Sequence, residues 1–155
     1  MLPHALIDSL EDMRSRAQAA PSLAVRIELT RDIALFSLAF ASMRRGHDLS
    51  FTMGSQVLRL PAEAGLIFNF QFGKTLRASV DAVVVGPDVA CPFICAVRKV
   101  TAYISAAEGI GWDLSQGHLF PAVLLEGTRG RAPLTAAQMT AALQGHLRVA
   151  GLPPR

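Results

Sequence analysis

Arg44 and Arg45 sit side by side at the end of a long apolar run, and Gly46-His47-Asp48-Leu49 follows them. Two guanidinium groups at the end of a buried helix do not serve core packing. They stay charged at any ordinary pH, and their forked donors match phosphate oxygens, so the site points to phosphate handling. Further on, a lone lysine, Lys74, falls at the turn of a hairpin pattern. Other chemistries lack their residues. There is no glycine-rich phosphate loop and no nucleophile elbow. No His-x-x-Arg occurs, and the single tyrosine, Tyr103, lies in a helical segment. The two cysteines, Cys91 and Cys95, have no second pair or nearby histidine to complete a zinc site. Four residues apart at the start of a helix, they fall on one face and read as buried thiols in a reducing compartment. No metal and no cofactor is expected.

These residues need elements to position them. Residues 5–19 show helical periodicity, with Leu6, Leu10 and Met13 on one side and Asp8, Glu11 and Asp12 opposite. Ala20-Pro21-Ser22 breaks that helix. Thr30 is the expected N-cap of a second helix, with Asp32 near its positive end. It runs to about Arg44 and is apolar nearly all round, which implies burial at the centre of the fold. Residues 56–60 form a short strand candidate. Residues 66–72 alternate clearly, with Leu66, Phe68, Phe70 and Phe72 on one face and Ile67, Asn69 and Gln71 on the other. Gly73-Lys74 gives the turn, and residues 75–85 return. Cys91-Pro92 opens a third helix with Phe93, Ile94, Val97, Val100, Tyr103 and Ile104 along its stripe, ended by Gly109 and Gly111. His118-Leu119-Phe120-Pro121 is a short extended segment, and residues 127–133 a loop carrying Arg129 and Arg131. Thr135-x-x-Gln138 is a capping box for a last helix ending near Ala150. The fold class expected is α+β: mainly helical, with a small three-stranded antiparallel sheet.

Bulk properties set limits on partners. Hydrophobic residues make up 51% of the 155, enough for a real core, while charged residues make up only 17%. So few charges suit a unit that packs against something else. The net charge of +3 permits nucleic-acid binding without demanding it. The start Met-Leu-Pro-His shows no secretory signal, and residues 33–43 are too short an apolar run to cross a bilayer.

In order and spacing, four patches resemble the catalytic domain of tyrosine recombinases of the phage-integrase type, including versions carried by eukaryotic mobile elements. Arg31-Asp32-Ile33-Ala34-Leu35 through Arg45-Gly46-His47-Asp48-Leu49 looks like the family's second helix and first-arginine motif, with Asp48 in place of Glu. Residues 66–77 look like its β-hairpin. Residues 91–104 with Leu119-Phe120-Pro121 look like the helix and Leu-Phe-Pro segment that follow. Residues 135–152 look like the helix upstream of the His-x-x-Arg box.

The resemblance implies a truncated recombinase catalytic domain: an N-terminal helix and linker over 1–24, the partial domain over 25–152 and a tail over 153–155. It implies double-stranded DNA as partner, bound along the phosphate backbone, and phosphoryl transfer as the family's chemistry. Arg45 takes the role of the first catalytic arginine, with Arg44 as the alternative one residue out of register. Lys74 takes the role of the acid that protonates the leaving oxygen, and Asp48 orients the arginine. Arg44, Arg77, Arg129 and Arg131 are the expected DNA contacts. The His-x-x-Arg pair and the nucleophilic tyrosine have no counterpart here, so strand transfer by these residues alone is not expected. His146 and Arg148 are one residue short of that box, and Tyr103 reads as core. The expected setting is intracellular and DNA-associated, in the nucleus of a eukaryote or the cytoplasm of a bacterium. The competing expectation is a non-catalytic module whose exposed apolar faces bind a partner chain or self-associate.

Overall fold

The computed structural model describes residues 3–70 and 81–152. The chain runs α1 (Pro3–Ala19), α2 (Leu23–Ser42), α3 (Gly46–Ser50), β1 (Val57–Arg59), β2 (Leu66–Phe70), β3 (Asp81–Val85), α4 (Ala96–Gly109), β4 (Pro121–Val123), β5 (Arg129–Pro133) and α5 (Ala136–Val149). The fold is α+β and mainly helical, as the sequence patterns predict. β1, β2 and β3 form an antiparallel three-stranded sheet with β2 in the middle. Among the described residues, no helix is long and apolar enough to cross a membrane.

The core gathers around α2, which packs chiefly on α4 and α1. Every residue from 31 to 38 is buried, which is why that stretch carries no exposed polar face. Leu6, Leu10 and Met13 of α1 join the same apolar cluster as Leu35 and Leu38 of α2 and Val97, Val100 and Tyr103 of α4. β2 adds Leu66, Phe68 and Phe70 to it, matching the alternation read in the sequence. Burial at about 25 cal/mol per Å² of apolar surface is the main favourable term holding these layers together.

Several boundaries differ from those the sequence suggests. α2 begins well before Thr30, with Ser22 as its N-cap. Residues 23–29 contain nothing that stops a helix, and Thr30 turns its hydroxyl back to the Arg26 carbonyl at 2.8 Å. Asp32 therefore lies deep inside the helix, not at its positive end. α2 also ends at Ser42, because Met43 enters the left-handed region at φ 53° and ψ 23°. The third helix is split. Pro92–Ile94 makes one 3-10 turn, Cys95 is extended, and α4 starts at Ala96. Phe93 consequently faces solvent, and the two cysteines do not share a helix face. Cys95 is buried and Cys91 only half-buried; the Asp88 carboxylate accepts from the Cys91 amide at 2.8 Å, and the Asp88 amide donates to Cys95 Sγ at 3.4 Å.

The segments read as an extended stretch and a loop are a second, two-stranded sheet of β4 and β5. Proline at both ends and glycine inside hide it from strand patterns. Gly130 is required there, since a Cβ would come within 2.8 Å of the Ala122 carbonyl oxygen. The capping box is present: Thr135 accepts from the Gln138 amide and Gln138 accepts from the Thr135 amide.

A charged network passes through this apolar body. Arg31 and Asp32 are each only 2% exposed. Arg31 sends its Nε and one terminal nitrogen to Asp32 Oδ1 at 2.9 and 2.7 Å, and the other terminal nitrogen to the Pro121 carbonyl at 3.0 Å. Asp32 Oδ2 lies 2.9 Å from His146 Nε2, and His146 Nδ1 lies 2.9 Å from an Arg16 nitrogen. Arginine only donates, so Nδ1 accepts and the ring proton sits on Nε2, aimed at Asp32. Arg16 is anchored in turn on Asp12 at 2.7 Å. One chain of bonds thus ties α1, α2, β4 and α5.

Removing one partner of a buried pair leaves an uncompensated charge. Asp32→Ala is expected to lower unfolding stability by about 3–5 kcal/mol, read as a shifted urea midpoint. His146→Ala, at the solvent edge of the network, is expected to cost about 1–2 kcal/mol. Equal, small losses in the two variants would show that the network is not structural.

Candidate nucleic-acid interface

The basic motif follows directly from how α2 ends. Met43 is 85% exposed and turns the chain. Arg44 then reaches across to β2, where its guanidinium lies over the Phe70 ring at 5.0 Å from the centroid. A guanidinium on a ring face is attracted by the ring quadrupole. Phe70 is the last residue of β2. The structure therefore joins the end of α2 to the base of that hairpin. Lys74 and Arg77 lie outside the described residues.

Arg45 is exposed and acts locally as the N-cap of α3. Its carbonyl accepts from the Asp48 and Leu49 amides at 3.0 and 3.2 Å. Among the described residues, no hydrogen bond or ion pair joins the Asp48 carboxylate to Arg45. Asp48 is half-buried, and its carbonyl accepts from the Thr52 hydroxyl at 2.9 Å. α3 is fixed from the other side by Ser50, whose hydroxyl donates to the Leu134 carbonyl just before α5.

Beyond α3 the surface continues as a row of rings. His47 meets Phe51 edge-on at 4.9 Å, and Phe51 meets His118 edge-on at 6.3 Å. Backbone pairing places His118 there: Leu119 donates to the Thr52 carbonyl at 2.8 Å, and Gly54 to the Gly117 carbonyl at 2.8 Å. Arg129 follows. Its guanidinium lies against the bare α-carbon of Gly117, where a Cβ would come within 2.0 Å of one nitrogen. One terminal nitrogen donates to the Asp113 carbonyl. Arg131, two residues along β5, shares the strand face of Arg129 and is exposed. The rings thus link α3, which Arg44 and Arg45 precede in the chain, to His118 and the nearby Arg129, and Arg131 lies two residues further along β5.

His47, Phe51 and His118 were not singled out for a role by sequence. The i, i+4 spacing of His47 and Phe51 could have signalled their contact. His118 arrives through strand pairing, which local spacing does not reveal.

Electrostatics along this row are cationic. His118 Nδ1 and Arg129 Nε are buried and find no hydrogen-bond partner among the described residues. Burial first, and then the Arg129 guanidinium, hold the His118 imidazole below its ordinary value of 6.5. Elsewhere, Tyr103 is fully buried, donates to the Leu119 carbonyl at 2.9 Å and stacks on Phe120. Burial pushes its phenol well up. Such a hydroxyl is a core strut and not a nucleophile. Trp112 is likewise a packing residue, its indole donating to the Gly127 carbonyl at 3.2 Å. Among the described residues, no group of three or more His, Cys, Asp or Glu side chains is placed to hold a metal ion. The arrangement can hold anionic oxygens with fixed guanidinium groups.

No family model matches the chain, and no curated protein matches it.

The lowered His118 value has a definite consequence. Between that value and 6.5 the unfolded chain binds more protons than the folded one, so stability rises with pH. The contribution of the neutral ring is present above 6.5 and is lost as pH falls through the folded value. Urea midpoints measured from about pH 5 to about pH 8 should fall on the acid side, and less steeply in His118→Gln. Parallel curves for the two proteins would remove this assignment.

Proposed function

We propose that this chain is a tyrosine-recombinase-like DNA-binding unit that grips the phosphate backbone of double-stranded DNA without performing strand transfer through its own residues. The observation that carries the reading is Arg44 stacked on Phe70, which couples the double-arginine segment to the hairpin strand. In the family that the sequence resembles, that pair of elements supplies a phosphate-holding arginine and an acid. Arg44 faces the hairpin in this geometry, so it is the better choice for the phosphate-holding role; Arg45, exposed at the cap of α3, is the outer contact. Arg129 and Arg131 extend the cationic track along β5, and Lys74 and Arg77 are assigned to it by resemblance. In this reading the protein works inside the cell at DNA.

Covalent chemistry is not part of the proposal. These 155 residues contain one tyrosine, Tyr103, and it is sealed in the core. A phosphotyrosine link requires a hydroxyl that reaches the scissile phosphate.

A second reading is favoured by a different observation. Leu58, Ile67 and Val84 are cross-strand neighbours in register on the outer face of the three-stranded sheet. Leu58 is 56% and Val84 67% exposed. Such a row supports an interaction module that self-associates through its sheet.

Fluorescence anisotropy with a labelled duplex separates the two. Backbone binding predicts an affinity that falls with salt by a log–log slope of about −0.9 per phosphate contacted. Arg44→Ala combined with Arg45→Ala should flatten that slope by about two units. A nicked duplex should yield no covalent adduct. Salt-insensitive self-association, dispersed by Leu58→Lys and without DNA retention, would replace the first reading with the second.

A further inference from the structure

A cleft of about 480 Å³ opens on another part of the molecule, between α1, α2 and α4. Each helix turns one face into it at helical spacing: Arg14, Ala17 and Gln18 from α1, Arg26, Thr30 and Ile33 from α2, and Lys99 and Ala102 from α4. Every helix therefore contributes one cation, and no carboxylate lines the cleft. Among the described residues, none of the three cations forms an ion pair. Arg26 is steadied by donating to the Ala20 carbonyl at 3.1 Å, which leaves its other donors for a ligand. Ile33 and the two alanines give an apolar floor.

We infer that this cleft binds a small organic phosphate, with Arg14, Arg26 and Lys99 taking the phosphate and Ile33, Ala17 and Ala102 the apolar body. Three cations set around one space repel one another and are satisfied together by a dianion. The volume lies in the range of small-molecule sites, which combine apolar walls with a few convergent polar groups. Lys99 is half-buried in this cleft beside Arg14. Burial, then Arg14, and then Arg98 hold its ammonium below the ordinary lysine range, with only Cys95 pulling the other way. A bound phosphate would offset the repulsion from Arg14.

The site is separate from the proposed DNA track. Thr30 and Ser42 stand about 18 Å apart along α2 at 1.5 Å per residue, and Arg44 lies beyond Ser42. DNA binding can therefore fail while the cleft binds, and the reverse.

Amide NMR titration of the full chain at constant ionic strength provides the test, with phenyl phosphate and inorganic phosphate as probes. Phenyl phosphate should bind saturably, shift the amides of Ala17, Thr30 and Ala102, and bind more tightly than inorganic phosphate. Arg14→Gln and Lys99→Met should each weaken it about tenfold or more, the loss of one charge-assisted contact. Arg59→Gln, which removes an exposed cation elsewhere, should leave it unchanged. Absence of saturation, equal binding of the two probes, or an equal loss in Arg59→Gln overturns the inference. So does displacement of phenyl phosphate by duplex DNA, which would make the cleft part of a backbone track. The wild-type shift map decides the site even if one variant fails to fold.

Discussion

Everything else in the structure depends on the enclosure of one ion pair, Arg31 with Asp32, in the middle of the most buried helix. Taking both charges from water is costly, and the attraction between them offsets that cost only when the remaining donors and acceptors are also satisfied. Here they are. Pro121 takes one arginine nitrogen, and His146 takes the second carboxylate oxygen. Those two partners lie on β4 and α5, far along the chain. Apolar packing is not directional. A guanidinium that must meet a particular carbonyl is. The pair thus fixes where β4 and α5 dock, and through β5 and α3 it fixes the surface where Arg129 and Arg45 appear.

What the sequence revealed and what it hid divides along physical lines. α1, β2 and α5 were legible because their signals are local: a 3.6-residue stripe, an alternation and a reciprocal cap. The start of α2 was misread because Thr30 looks like a cap while Ser22, the residue at that position, makes no capping bond with its side chain. β4 and β5 were invisible because strands this short, punctuated by proline and glycine, draw their stability from pairing and not from propensity. The ion pair was not read from the sequence, where Asp32 was placed near the start of its helix. Two adjacent charges inside an apolar run demand partners. Nothing local says that one partner is His146, 114 residues away. The candidate site follows the same division: the double arginine stands out by type, whereas its meeting with Phe70 is a tertiary fact.

Charge is scarce in this protein, so its distribution is informative. One pair is committed to the core. Arg59 and Arg98 pair across the surface with Glu108 and Glu63 at 3.5 and 3.6 Å, contacts worth little in water. Five others stand near the two ends of α2. Arg26 joins Arg14 and Lys99 near its start, and Arg44 and Arg45 follow its end. A helix locked at its middle by Arg31 and Asp32 holds both cationic groups on one rigid axis.

The backbone at Met43 bears on the choice between Arg44 and Arg45. A side chain in the left-handed region is disfavoured by about 1–2 kcal/mol, and no glycine stands there to relieve it. Such a conformation persists when its surroundings over-determine it. Two contacts do so here. Leu49 is buried in the core, which holds α3 down, and the Arg44 guanidinium rests on Phe70, which draws the chain toward the sheet. The left-handed turn at Met43 is followed directly by Arg44, whose guanidinium lies over Phe70 of β2. Arg45, one residue later, is already committed by its carbonyl to starting α3. Backbone geometry therefore gives the two adjacent arginines different tasks: Arg44 faces the hairpin, and Arg45 faces solvent at the edge of the same surface.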